Sequence, residues 1–210
     1  MKVKNKHYRE FLDKDFITTL SEEDIRKALK NVTGRWKKQA RSLIILLYYT
    51  GARPNEVLKV RGKDVRKERS YVAVDLPGSK RGRSRKVLLP YKKLLVREVY
   101  DYARSVFPDL YLFHAYRSRY ARQVKTKKGV KERVEITDKL RYHFKKWFEP
   151  VLDGSIPPYY LRHNRTTKWL EGGASIEEIM LMRGGLDYSS VRRYMHHSRK
   201  FQEKMAKITK

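Results

Sequence analysis

Hydrophobic and polar residues follow two different periods along this chain, helical over most of its length and strand-like in one central stretch. Ser21 precedes Glu22, Glu23 and Asp24, the pattern of a cap followed by acids at the positive end of a helix dipole. Ile25, Ala28, Leu29 and Val32 then recur at helical spacing, with Gly34 as the expected stop. A second helix is expected over residues 36–49, whose apolar run is longer than most strands and holds no turn residue. Gly51 suits its C-cap and Pro54 the first turn of a following helix. Residues 71–76 are apolar and rich in valine, Pro77-Gly78 breaks them, and residues 85–89 return as a second strand. Helical spacing resumes at Leu94, Leu95, Glu98, Val99, Tyr102 and Val106, ahead of Pro108. Thr137-Asp138 opens another helix with Leu140, Phe144, Trp147 and Phe148 on its inner face, and Pro150 stops it. Three short helices are expected after that. One runs from about 159 to 171 before Gly172-Gly173, one opens on the capping box of Ser175 and Glu178 with Ile176, Ile179 and Met180 inward, and one starts near Ser189-Ser190 with Tyr194 in its first turns.

This pattern predicts an α+β fold, predominantly helical, with a small antiparallel β-hairpin or three-stranded sheet. It also predicts one main domain over 21–198, an arm or linker remnant at 1–20, and a basic tail at 199–210.

Charge narrows the choice of partner. Lysine and arginine number 51 against 23 acids, a formal charge of +28. A globule of this length has a radius of gyration of roughly 17 Å, and duplex DNA presents one phosphate charge per ~1.7 Å. The excess therefore matches the scale of one DNA footprint, although RNA or an anionic membrane would also satisfy it. Residues 117–133 form a basic stretch, with Lys125, Lys127 and Lys128 near its centre, and are expected to be a loop that orders on DNA. The chain contains no cysteine, so there is neither a disulfide framework nor a thiolate metal site. No metal, cofactor or small-molecule substrate is expected. The longest apolar run, residues 43–49, is too short to span a bilayer, and the N-terminus lacks the apolar core of a signal peptide. These features lead to the expectation of a cytoplasmic protein.

Several residues carry candidate chemistry, each with a plainer alternative. Arg53 lies in the glycine-proline corner, either as an ordinary carbonyl-capping arginine or as a planar fork for phosphate oriented by Glu56. Lys80 sits in the basic hairpin tip with Arg81 and Arg83, and Arg85 follows at the strand start; the group either touches DNA as a solvated loop or delivers the Lys80 ammonium as a proton donor. Tyr194, taken alone, is better explained by packing than by catalysis.

Taken together these residues resemble a known family. Thr50-Gly51-Ala52-Arg53-Pro54-Asn55-Glu56-Val57 is similar to the box carrying the first catalytic arginine of tyrosine recombinases, the phage integrase family. Lys80-Arg81-Gly82-Arg83-Ser84-Arg85 resembles their hairpin lysine motif, and Leu161-Arg162-His163 with the helix after it resembles the second arginine box. Tyr194 then falls at the position of the nucleophile without a gap. The resemblance spans most of the chain and extends to integrases of archaeal viruses and plasmids.

The resemblance implies a site-specific recombinase that cuts and rejoins DNA through a 3′-phosphotyrosyl link. In that reading Tyr194 attacks, Arg53 and Arg162 clamp the phosphate, and Lys80 protonates the leaving oxygen, without metal or ATP. It also implies a tetramer of identical chains on paired sites. Two positions depart from the pattern: Tyr159 stands where the family has histidine, and Gly185 where it has histidine or tryptophan. Tyr159 is the expected replacement donor and His163 a supporting residue, while Arg81, Arg83, Arg85, Lys125, Lys127 and Lys128 are expected to grip DNA. Topoisomerase-like relaxation, or DNA binding without catalysis, are the alternatives. The stretch before Ser21 is short for the amino-terminal core-binding domain such enzymes carry, which leads to the expectation of a catalytic fragment or a minimal protein.

Overall fold

The computed structural model describes residues 19–78, 83–117, 122–126, 129–133, 137–152, 156–185, 188, 191 and 194, with backbone alone for 122–126 and 129–133. Helix α1, Glu22–Lys30, begins at the expected capping box: Asp24 N–H donates to Ser21 Oγ at 3.1 Å and Ser21 N–H donates to the Asp24 carboxylate at 2.8 Å. It ends short of Gly34 because Asn31 turns its backbone N–H onto the carbonyls of Ala28 and Leu29 while its side-chain amide donates to Trp147 O at 3.0 Å.

Helix α2, Lys37–Thr50, is the centre of the molecule, buried at every residue from Ser42 to Thr50. A helix that is apolar all round belongs inside, which is why the segment shows little amphipathic pattern. It packs against α1, against α4 (Leu94–Arg104) and against α6 (Tyr160–Glu171). Arg41 ties three of these helices together, donating to Glu98 Oε2 at 2.8 Å and to Leu29 O at 2.8 Å. A further link reaches across the chain, where Leu20 N–H donates to Asn164 Oδ1 at 2.7 Å on α6.

The expected hairpin forms as β2, Tyr71–Leu76, and β3, Arg85–Pro90, with β1, Val65–Glu68, completing an antiparallel sheet in the order β1-β2-β3. Val74 pairs with Val65 on one side and Val87 on the other. On β3 the period of two turns Arg85, Val87 and Leu89 toward the protein and leaves Lys86 and Leu88 exposed.

The basic stretch at 117–133 departs from its expectation as a loop. Residues Arg122–Thr126 and Gly129–Arg133 pair as antiparallel strands β4 and β5, with Thr126 opposite Gly129. The two strands satisfy each other's backbone N–H and C=O groups along one antiparallel ladder. Helix α5, Asp138–Phe148, starts at Thr137 as expected, its Oγ1 accepting from Leu140 N–H at 3.2 Å. Helix α7, Ile176–Arg183, opens on the Ser175 capping box and closes on Gly184 at φ 62°.

The corner after α2 fixes the geometry of everything that follows. Gly51 adopts φ 58° and donates its N–H to Leu47 O at 3.1 Å. A Cβ at this position would stand 3.0 Å from Trp169 Cη2 and 3.1 Å from Arg165 Cβ. Gly51→Ala is therefore expected to lower stability by about 1–3 kcal/mol, from the left-handed backbone and the crowding together. Urea denaturation checks this; a midpoint equal to that of the wild type would show that the corner relaxes freely.

Candidate active site

Pro54 holds the first turn of the short helix α3, Pro54–Val57, and leaves Arg53 as the residue that leads into it. Arg53 donates its backbone N–H to Glu56 Oε2 at 3.0 Å and its Nη1 to Glu56 Oε1 at 2.9 Å. Glu56 is fully buried and also accepts from Arg85 Nη2 at 3.1 Å. One carboxylate thus orients a guanidinium from the corner and another from the sheet.

A second pair of arginines comes from the carboxyl third. Arg162, on α6, is 1% exposed. Its Nη1 donates to Gly51 O at 2.8 Å and its Nη2 to Arg183 O at 3.2 Å, while its Nε has no partner among the described residues. Arg183, at the end of α7, donates from Nη1 to Thr166 Oγ1 at 3.2 Å, and that hydroxyl donates in turn to Arg162 O at 2.8 Å. The carbonyl of the glycine corner and the carbonyl at the end of α7 therefore hold Arg162 from two sides.

Three guanidinium groups, those of Arg53, Arg85 and Arg162, gather around the single carboxylate of Glu56, and that of Arg183 stands near Arg162 and Arg85. The titration shifts reflect this. Burial, with Arg183 and Arg53 nearby, brings Arg162 down to about 10. Burial also lowers Arg85, an effect that Glu56 opposes and Arg53 and Arg183 reinforce. Burial acts against the charge of Arg53 too, but Glu56 and Tyr159 outweigh it and hold the group above its ordinary value.

Tyr194 lies next to this cluster, 1% exposed. Its hydroxyl shares a hydrogen bond with Nδ1 of His163, whose ring lies 5.3 Å from the tyrosine ring. Tyr159 sits edge-on to His163 at 5.0 Å and also interacts with Arg53. Burial pushes the Tyr194 phenol above its ordinary value, with Arg183 and Arg162 pulling it back only in part. The arrangement offers a phenol hydrogen-bonded to an imidazole beside a desolvated cationic pocket suited to an oxyanion.

The structure brings together Arg53, Glu56, Tyr159, Arg162, His163 and Tyr194. Gly185 donates its N–H to Met180 O at 3.0 Å, and among the described residues a Cβ there would meet nothing within 4 Å. Lys80, Arg81, Lys127 and Lys128 lie outside the described residues, as does the side chain of Lys125. Arg83 is exposed, and its N–H donates to Gly184 O at 3.2 Å, which ties the foot of the hairpin to the end of α7. Arg85 differs from its expected place among outward, DNA-facing cations: its side chain is 9% exposed and turned onto Glu56. The alternation along β3 carried that signal, because Arg85 shares the face of Val87 and Leu89. Arg183 was missed altogether, although it falls seven residues after Ile176 and four after Ile179, in phase with the inner face of α7.

Glu56 makes the cluster sensitive to acid. Burial raises its carboxyl, but Arg85, the Arg53 N–H, Arg162 and Arg53 more than offset this, so it ionises below its ordinary 4.5. Because the folded value is the lower one, the stabilisation is complete above pH 4.5 and is lost as pH falls through the folded value. Glu56→Gln is expected to cost about 3 kcal/mol at neutral pH, with the gap to the wild type narrowing in acid. Denaturation at several pH values measures it, and a constant gap would contradict this role.

Comparison with known proteins bears on the family and the fold. The family model described as "Phage integrase family" matches residues 18–200. Tyrosine recombinase XerA of Thermococcus onnurineus is 30% identical over 196 residues, which cover 89% of this chain and 62% of that protein. The XerA of Pyrococcus furiosus is 27% identical over 177 residues, covering 84% of this chain and 56% of that protein. The chain thus spans less than two thirds of these relatives. Among solved structures, XerH site-specific recombinase bound to difH substrate superposes with a TM-score of 0.64 at 19% identity, over 94% of this chain and 56% of that one. The crystal structure of XerA recombinase gives 0.62 at 19%, over 94% of this chain and 65% of that one. With a family model matching residues 18–200, most of its length, the chain belongs to the phage integrase family.

Proposed function

We propose that this protein is a site-specific recombinase that breaks and rejoins double-stranded DNA with Tyr194 as nucleophile. The observation that carries the proposal is a phenol hydrogen-bonded to an imidazole and set beside three arginines, Arg53, Arg85 and Arg162, that gather around one carboxylate. Such a surplus of desolvated positive charge is costly unless an anion completes it, and a phosphodiester does so. The family membership and the +28 charge support the same substrate.

Tyr194 Oη forms a bond to the scissile phosphorus as its proton passes to His163, and the bond to the 5′ oxygen breaks. Arg53, whose side chain is 28% exposed, meets the phosphate first, and Arg162 neutralises the charge that builds on its nonbridging oxygens. Lys80 protonates the departing 5′ oxygen, and Tyr159 donates to a nonbridging oxygen. Because Tyr194 is 1% exposed, the duplex must open a path to it. The reverse attack by a 5′-hydroxyl rejoins the strand, so bond energy is conserved and no ATP is consumed. The cations Arg81, Arg83, Lys125, Lys127 and Lys128 grip the backbone, and a tetramer on paired sites exchanges strands. No described helix is long and apolar enough to cross a membrane, and the reaction is proposed to take place in the cell's DNA-containing compartment.

A nicked substrate that loses its 5′ fragment on cleavage traps the covalent intermediate. Wild-type protein is expected to form a DNA adduct, Tyr194→Phe none, and Arg162→Ala at least ~10²-fold less in rate. An equal adduct with Tyr194→Phe would overturn the assignment. DNA binding without any adduct would favour an inert binding factor, and relaxation without Holliday junctions on paired sites would favour a topoisomerase-like role.

A further inference from the structure

Arg183 is a buried cation for which the scheme above has no use. It is 3% exposed, and it occupies an inward position of α7 where Ile179 precedes it by one turn. A guanidinium in such a place ordinarily faces a carboxylate. Among the described residues no acid pairs with Arg183. Its Nη1 goes to the neutral hydroxyl of Thr166 and its Nε has no partner. What its charged face meets is the Tyr194 ring, with Cζ 4.9 Å from the ring centroid.

A neutral phenol ring is a weak partner for such a charge, whereas a phenolate is a full anion. Among the described residues, the groups facing Tyr194 are His163, Arg162 and Tyr159 from α6 and the residue before it, and Arg183 from α7. The imidazole of His163 already holds the hydroxyl, and Arg162 is held by two backbone carbonyls. Arg183 is left as the one cation of this group stacked on the tyrosine itself. Gly185, two residues on, brings no side chain to the site.

We infer that Arg183 is a positioning residue for the nucleophile, its guanidinium stabilising the Tyr194 phenolate while the proton rests on His163, at cleavage and again when tyrosine departs on rejoining. Arg183 keeps its own protons throughout. It acts through the charge of Tyr194 and contributes nothing to the departing 5′ oxygen. Among the charged groups around Tyr194, Arg183 is also the one that most lowers a phenol that burial has raised.

The inference rests on Tyr194 being the nucleophile, and the experiment separates the two ideas. The nicked DNA substrate carries sulfur in place of the bridging 5′ oxygen, so the leaving thiolate needs no proton and the pH dependence of single-turnover cleavage reports on the nucleophile. Arg183→Gln is expected to move the rising limb of that profile up by about one pH unit, slowing cleavage at neutral pH about tenfold, with DNA affinity unchanged. Arg183→Lys, which keeps the charge, is expected to restore most of the wild-type profile. If the glutamine variant does not fold, Arg183→Met keeps the side-chain volume and takes its place in the comparison. A neutral variant with the wild-type profile, or a lysine variant as impaired as the neutral one, would overturn the inference. An adduct that survives Tyr194→Phe would instead overturn the assignment of the nucleophile.

Discussion

A single buried carboxylate with more guanidinium groups around it than it can neutralise sets the character of this protein. Glu56 takes hydrogen bonds from the Arg53 backbone, the Arg53 side chain and Arg85, and Arg162 and Arg183 stand close enough to feel one another's charge. Pairing one acid with one base in a protein interior roughly cancels Coulomb gain against desolvation. Here the balance is left positive, and the scaffold must hold like charges together against their repulsion. That is the arrangement expected of a site whose missing negative charge arrives with its substrate.

The fold supplies the restraint through backbone carbonyls more than through side chains. Gly51 O and Arg183 O fix Arg162, one at the corner after the central helix and the other at the end of α7. The same corner launches α3 and so aims Arg53. The sheet delivers Arg85 from the inner face of β3, and the Arg83 to Gly184 hydrogen bond fastens the hairpin to the glycine that closes α7. Four segments distant in sequence are thereby bound to one point, with the rigid interior of α2 behind them.

Much of this was legible in the sequence, and the reasons it was or was not are physical. Caps and corners were plain, because Ser21, Gly51, Pro54, Thr137 and Ser175 each serve a local backbone need that their side chains or conformational freedom announce. Strand β1 was not located, since it has four residues and only Val65 is buried. The β4-β5 pair was hidden by its run of cations, which looks like solvated loop even though backbone pairing is indifferent to side-chain charge. Within the site, the boxes around Arg53 and Arg162 stood out through family resemblance. Arg85 and Arg183 were obscured because arginine is presumed to point outward, although both fall in phase with apolar neighbours. An out-of-character residue at an inward position was the signal, and periodicity alone was enough to expose it.

The central claim is that Tyr194 becomes covalently joined to DNA. Its most direct test is mass spectrometry of the trapped protein–DNA adduct after nuclease and protease digestion. The account predicts a nucleotide remnant esterified through a 3′-phosphate to the tyrosine of the peptide that contains Tyr194. A remnant on any other residue, or bound DNA with no covalent product from an intact nicked substrate, would contradict it.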